Sequence, residues 1–177
     1  MESIILDFLS DNIVQQQKIH PKIRRLSDLW RENQIFLETN HNYIQWMFPL
    51  DEPSRYNLEA PVLNEKEIEL ILENKIIQQN ILKSLDVMLG FYGFERKGKK
   101  IIKNRNFKRR GRNWITKNNH NYLRITRILR SLKITGLGEY ADVFYKELMQ
   151  VCVENPVISD ETKRYWKEAV SNVDRLI

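Results

Sequence analysis

The stretch from Asn64 to Leu89 constrains the fold of this chain more than any other. Ile68, Ile71, Leu72, Ile76, Ile77, Ile81, Leu85, Met88 and Leu89 recur there close to the 3.6-residue period of a helix. Asn64 and Glu67 stand in the N-x-x-E spacing of a capping box, in which each side chain satisfies the other's backbone N–H. The run is long for one globular helix, so a break is expected near Glu73 to Lys75. Gly90 and Gly93 flank the aromatic turn LGFYGF and supply the stop. A helix-period run of this size needs other helices to cover its apolar face.

Those partners are readable on both sides. Ile4, Ile5, Phe8, Leu9 and Ile13 predict a first helix over residues 3–17, broken by His20-Pro21. Ser27 is expected to cap the next, with Leu26, Leu29 and Trp30 leading to Ile35 and Leu37. Residues 27–48 read as one helix, or as two with a bend near Asn33. HNYIQWMFPL (His41–Leu50) places Leu37, Ile44 and Met47/Phe48 on an apolar face, and Pro49 stops it. Residues 50–63 carry Pro53 and Pro61 and read as an ordered loop anchored by Tyr56, Leu58 and Val62. Asn118 or Asn119 caps a helix to Leu132, with Ile125, Ile128, Leu129 and Leu132 inward, ended by Gly136 and Gly138. A helix from Glu139 to about Val153 buries Tyr140, Val143, Phe144, Leu148 and Val151 and stops at Pro156. Ser159 caps a last helix with Asp160 and Glu161 in its first turn, seated by Val170 and Val173. No segment alternates with period two, so strands are not expected. The predicted fold is all-α: a compact multi-helix bundle of six or seven helices with one long basic loop. Residues 1–22 form a helical arm on the core, and 23–177 form the main domain.

The charge is unevenly placed. The chain has a net charge of +6, yet between Glu95 and Arg130 there are 14 Lys/Arg against one acid. A local excess of this kind makes a field that an anionic partner feels. Its densest part, KGKKIIKNRNFKRRGRN (Lys97–Asn113), reads as a mobile surface loop pinned at its far end by Trp114 and Ile115. Lys99, Lys100, Lys103, Arg105, Lys108, Arg109, Arg110 and Arg112, with Phe107 and Trp114 nearby, suit contact with a phosphate backbone. A solvated loop that only aids solubility is the plainer alternative.

A second candidate site is polar and aromatic. His41 and Gln45, four residues apart, share a helix face beside Trp46. His120, Arg124 and Arg127 fall within about 60° on the next wheel, a reasonable anion site. Together these six residues are expected to line one pocket for a peptide or an anionic small molecule. The plainer alternatives are a buried structural pair, a core tryptophan and ion pairs to acidic helices. No catalytic residue is assigned. An enzyme on an anionic substrate, with His41 as general base, is the weakest reading. The one cysteine, Cys152, sits in an apolar stripe, and no HExxH, CxxC, GxGxxG or P-loop spacing occurs, so no metal or cofactor is expected. No apolar run nears the ~20 residues of a membrane span, and the N-terminus lacks the form of a signal peptide. A cytoplasmic chain is expected, or a nuclear one in a eukaryote. The sequence leaves pairing of copies through the terminal helices open.

Two stretches carry a family resemblance. HNYIQWMFPLDEPSRYNLEAPVL, and VMLGFYGF followed by NYLRITRILRSLKITGLGEYA, resemble in order the motifs of the opioid growth factor receptor conserved domain. The resemblance spans roughly Leu29 to Val170 and implies a stand-alone copy of that helical domain, without the C-terminal repeats of animal members. The family is named for a member described as a receptor for met-enkephalin at nuclear and cytoplasmic sites. It implies a non-enzymatic ligand- or peptide-binding domain and no catalytic residues.

Overall fold

The computed structural model describes residues 3–12 and 25–171. By packing, the chain divides into two units, Met1–Val87 and Met88–Ile177. The helical class is as expected, with ten helices among the described residues rather than six or seven, and one small two-stranded sheet. The expected run of the first helix through Ile13 to residue 17, the break at His20-Pro21, the arm boundary at residue 22 and the seat at Val173 lie outside the described residues.

The first unit begins with α1 (Ile4–Leu9). Ser3 caps it by accepting from the Leu6 N–H at 3.3 Å, and the same hydroxyl donates to Glu67 Oε1 at 2.6 Å. Phe8 and Leu9 are fully buried, and the Asn80 amide donates to the Leu9 carbonyl at 2.8 Å. The segment expected as one or two helices is three: α2 (Leu26–Leu29), α3 (Gln34–Thr39) and α4 (Tyr43–Met47). Asparagines divide them. Asn33 accepts from the Phe36 N–H at 2.9 Å to start α3, and extended Asn40 ends it. Ser27 is not a cap; it lies inside α2 and its N–H donates to Asp11 Oδ1 at 2.9 Å. Pro49 follows α4 at the expected place. The loop after it closes by the Leu63 N–H donating to the Leu50 carbonyl at 2.8 Å, and Ser54 Oγ accepts from the Tyr56 and Asn57 N–H groups. Its expected anchors are corrected: Tyr56 and Leu58 are 81% and 91% exposed, and Leu50, Ser54 and Leu63 are the buried points.

The capping box forms as read. Asn64 Oδ1 accepts from the Glu67 N–H and Glu67 Oε2 from the Asn64 N–H, both at 3.0 Å, opening α5 (Glu65–Glu73). The break also falls where expected. Asn74 leaves helical geometry, and its side chain accepts from the Ile76 and Ile77 N–H groups to start α6 (Lys75–Tyr92). Val87 of α6 closes the first unit and Met88 opens the second.

In the second unit Gly90 is inside α6, and the stop is Gly93 alone, at φ +92°. The basic segment is not a loop. It forms an antiparallel hairpin, β1 (Phe94–Lys97) with β2 (Lys100–Lys103), then α7 (Phe107–Trp114). Phe94 pairs with Lys103 and Lys97 with Lys100, and Gly98 takes φ +60° in the turn. Three helices follow: α8 (Asn121–Ile134), α9 (Gly138–Glu154) and α10 (Asp160–Ser171). Asn119 accepts from the Asn121 N–H at 3.0 Å at the head of α8, and Gly138 opens α9 rather than ending α8. α8 packs on α9 and α10, burying Ile125, Ile128, Leu129, Leu132, Phe144, Leu148, Val151 and Trp166. The Trp166 indole donates to the Tyr122 carbonyl at 3.1 Å, and Ser159 Oγ accepts from the Thr162 N–H as expected of a cap.

Candidate functional site

The basic segment owes its order to one asparagine and three aromatic rings. Asn104 joins hairpin to helix: its N–H donates to the Gly93 carbonyl at 2.9 Å, and its amide donates to the Phe94 carbonyl at 2.9 Å. Its own Oδ1 accepts from the Asn106 N–H at 2.8 Å and its carbonyl from the Phe107 N–H. Phe94 then packs edge-on against Phe107 at 5.2 Å and Phe144 at 5.7 Å. The Trp114 indole donates to the Tyr92 carbonyl at 2.9 Å. Gly93 lets α7 approach: a Cβ there would lie 2.7 Å from Phe107 Cα.

These contacts fix the orientation of α7. Phe107, Gly111 and Trp114 recur at i, i+4 and i+7 and form its inner stripe, with Gly111 and Trp114 buried. Lys108, Arg109 and Arg112 fall three and four residues apart on the opposite face, all exposed, and exposed Arg105 precedes them. Among the described residues, no carboxylate lies in ion-pair reach of Lys100, Arg105, Lys108, Arg109 or Arg112; the recorded partner of Arg109 is the neutral Asn106 side chain at 3.3 Å. Arg110 differs. Its side chain is half-buried with Nε out of hydrogen-bond contact, and burial first, then neighbouring Arg109, pulls its guanidinium below the ordinary value.

Three of the four hairpin lysines are spoken for, all but Lys100. Lys99 pairs with Glu139 at 2.8 Å and Lys103 with Glu154, both on α9, while Lys97 pairs with Glu95 at 3.1 Å. The hydrogen bond to Glu139 holds Lys99 above its ordinary value. Lys103 also sits over the Phe107 ring at 4.8 Å. The eight cations named from the sequence thus divide. Lys99 and Lys103 fasten the hairpin to α9, Arg110 is half-buried, and Lys100, Arg105, Lys108, Arg109 and Arg112 face outward. Asn104 was not among the residues singled out by sequence, because an asparagine inside a cationic run carries no pattern of its own.

The other candidate residues are split between the units: His41, Gln45 and Trp46 in the first, His120, Arg124 and Arg127 in the second. His41 is exposed, whereas Gln45 is 7% exposed. The Gln45 amide, with its nitrogen turned to the chain, donates to the His41 and Asn42 carbonyls at 2.8 and 2.9 Å. Trp46, also 7% exposed, packs edge-on against Phe8 at 5.5 Å. His120 is exposed at the head of α8. Arg124 is 5% exposed and donates to Asn121 Oδ1 at 3.3 Å, while Arg127 is half-buried. Cys152 is buried, and burial pushes its thiol up to about 11 against a weaker downward pull from Lys163. That leaves a neutral thiol at physiological pH. Among the described residues no helix is long and apolar enough to cross a membrane.

Fold and site define a mostly helical domain with an ordered cationic hairpin and helix on one of its units. Residues 2–175 match the family described as the opioid growth factor receptor conserved region, and the chain belongs to that family. The opioid growth factor receptor of Rattus norvegicus is 42% identical over 114 residues, 63% of this chain and 19% of its own length. That of Homo sapiens is 37% identical over 147 residues, 80% of this chain and 21% of its own. The opioid growth factor receptor-like protein 1 of Mus musculus is 36% identical over 142 residues, 76% and 29%. The chain therefore spans between 19% and 29% of the length of these relatives. No solved structure matches.

Proposed function

We propose that this domain is a non-catalytic binding module that docks on nucleic acid through its basic segment, residues 94–117. One observation carries the reading. Lys100, Arg105, Lys108, Arg109 and Arg112 stand exposed on an ordered hairpin and helix without carboxylate partners among the described residues. Cations left unneutralised on a rigid support contribute attraction without the entropic cost of ordering a loop around the partner. The expected pocket of His41, Gln45, Trp46, His120, Arg124 and Arg127 receives less support, since the Gln45 amide and the Trp46 ring are engaged in packing of their own unit. Fluorescence anisotropy with labelled DNA and RNA at 50 and 200 mM salt tests the reading. Binding at low salt that weakens steeply at high salt is expected. Absence of binding at 50 mM, or affinity indifferent to salt, overturns it.

A second reading rests on the relatives' name, which makes them receptors for an opioid growth factor. On it the domain binds a peptide. Calorimetric titration with an opioid pentapeptide tests it: saturable heat supports a peptide site and its absence removes one.

A further inference from the structure

We infer that α7 is the contact element for a duplex, engaging the phosphate backbone through Arg105, Lys108, Arg109 and Arg112 without reading sequence. The inference rests on the nucleic-acid reading and narrows it to one helix face and one form of nucleic acid.

Three features of the second unit lead there. First, three of the four hairpin lysines differ from the cations of α7, Lys100 being the hairpin lysine that lacks a carboxylate among the described residues. Lys97, Lys99 and Lys103 already have carboxylates at Glu95, Glu139 and Glu154, so a phosphate at any of them must compete with a formed ion pair. The four on and just before α7 have no such competitor among the described residues. Second, the spacing is that of a single helix face. Residues 108, 109 and 112 share one side of a helix that rises 1.5 Å per residue, and Arg105 precedes them by one turn, so the charges span about 10 Å. A helix with its side chains is about 10–12 Å across, comparable to the roughly 12 Å major groove of B-form DNA, which is flanked by two phosphate rows at fixed separation. Third, the rings of the segment are turned inward. Phe107 packs on Phe94, and Trp114 is buried with its indole donating to the Tyr92 carbonyl. Single-strand binders draw much of their affinity from aromatic rings that stack bases, and here those rings are committed to the core. A rigid cation stripe without a stacking platform suits a rigid double row of phosphates better than a flexible strand.

Each phosphate neutralised on a B-form duplex contributes about 0.9 to the slope of log affinity against log salt. The variant Lys108→Ala/Arg109→Ala/Arg112→Ala removes three cations from an exposed face, and its fold is checked by helical circular dichroism. Its slope on a DNA duplex is expected to fall by about 3 relative to the parent. The variant Arg109→Lys/Arg112→Lys keeps the charge and is expected to keep the slope, which separates charge from shape. Parallel titrations use an RNA duplex and a single strand of equal phosphate count. Tighter binding to either duplex than to the single strand supports the inference, and the two duplex arms show whether B-form or A-form geometry is preferred. Salt-sensitive binding that survives the triple substitution unchanged overturns the role of α7 and leaves the nucleic-acid reading standing. A single strand bound more tightly than both duplexes overturns the duplex assignment. No binding by the parent protein at 50 mM salt overturns inference and reading together.

Discussion

The Trp114 indole donates to the Tyr92 carbonyl at 2.9 Å, joining the last residue of α7 to the last residue of α6. The two rings also meet edge-on at 5.5 Å. This contact seats α7 with its cations outward. Trp114→Phe keeps an aromatic ring and loses the donor, with an expected cost of about 1–3 kcal/mol. Trp114→Ala also opens a cavity and is expected to cost about 3–5 kcal/mol. Urea unfolding of the two variants against the parent measures both.

Two glycines of the same segment separate backbone strain from crowding. Gly93 and Gly98 both have positive φ, but a Cβ at Gly93 meets Phe107 Cα at 2.7 Å and one at Gly98 meets nothing within 4 Å. Gly98→Ala is expected to cost about 1–2 kcal/mol, the strain of the left-handed region alone. Gly93→Ala carries that strain plus displacement of α7 and is expected to cost clearly more. Thermal unfolding of the pair checks the order; equal melting temperatures would remove the close approach.

In the first unit Trp46 is expected to behave as core. Its ring packs on the fully buried Phe8. Trp46→Ala is expected to lower stability by about 3–5 kcal/mol in chemical denaturation. A loss under about 1 kcal/mol would instead suit a residue held in reserve for a ligand.

Cys152 gives a pH dependence. Burial pushes its thiol up to about 11 from an ordinary 9.0. A folded-state value above the unfolded one gives stability that is whole below pH 9. It is lost as pH rises through about 11, because the unfolded chain ionises first. The thiol's share is about 3 kcal/mol at most. At pH 8 the native thiol is expected to react far more slowly with an alkylating reagent than the thiol of the urea-unfolded chain. Equal rates would mean the thiol is not buried.

The sequence exposed those parts of the fold whose signal is local. Asn64 and Glu67 state a capping box in four letters, and the break at Asn74 and the stop at Pro49 follow from chemistry at one or two positions. The basic segment hid its structure for an equally physical reason. Each strand of the hairpin is four residues long, so only Phe94 and Ile101 mark its buried side among four cations and a carboxylate. In α7 a glycine occupies the middle of the inner stripe, so the pattern Phe107–Gly111–Trp114 does not register as apolar periodicity. Exposure was also illegible. His41 and Gln45 are one turn apart, yet one faces solvent and the other is buried against its own helix start. Tyr56 and Leu58 resemble anchors by composition and point outward, because Ser54 folds the loop on itself with hydrogen bonds that no hydrophobic pattern announces.

Amide hydrogen exchange of the free protein tests most directly whether the cationic surface exists before any partner arrives. The Asn104 N–H donates to the Gly93 carbonyl at 2.9 Å, the Arg110 N–H to Asn106 at 2.9 Å and the Ile115 N–H to Gly111 at 2.8 Å. These three amides are expected to exchange at least a hundredfold more slowly than an unfolded chain, a difference of about 3 kcal/mol in local opening. Exchange at the unfolded rate across residues 94–115 would contradict a preformed surface and return the segment to a loop.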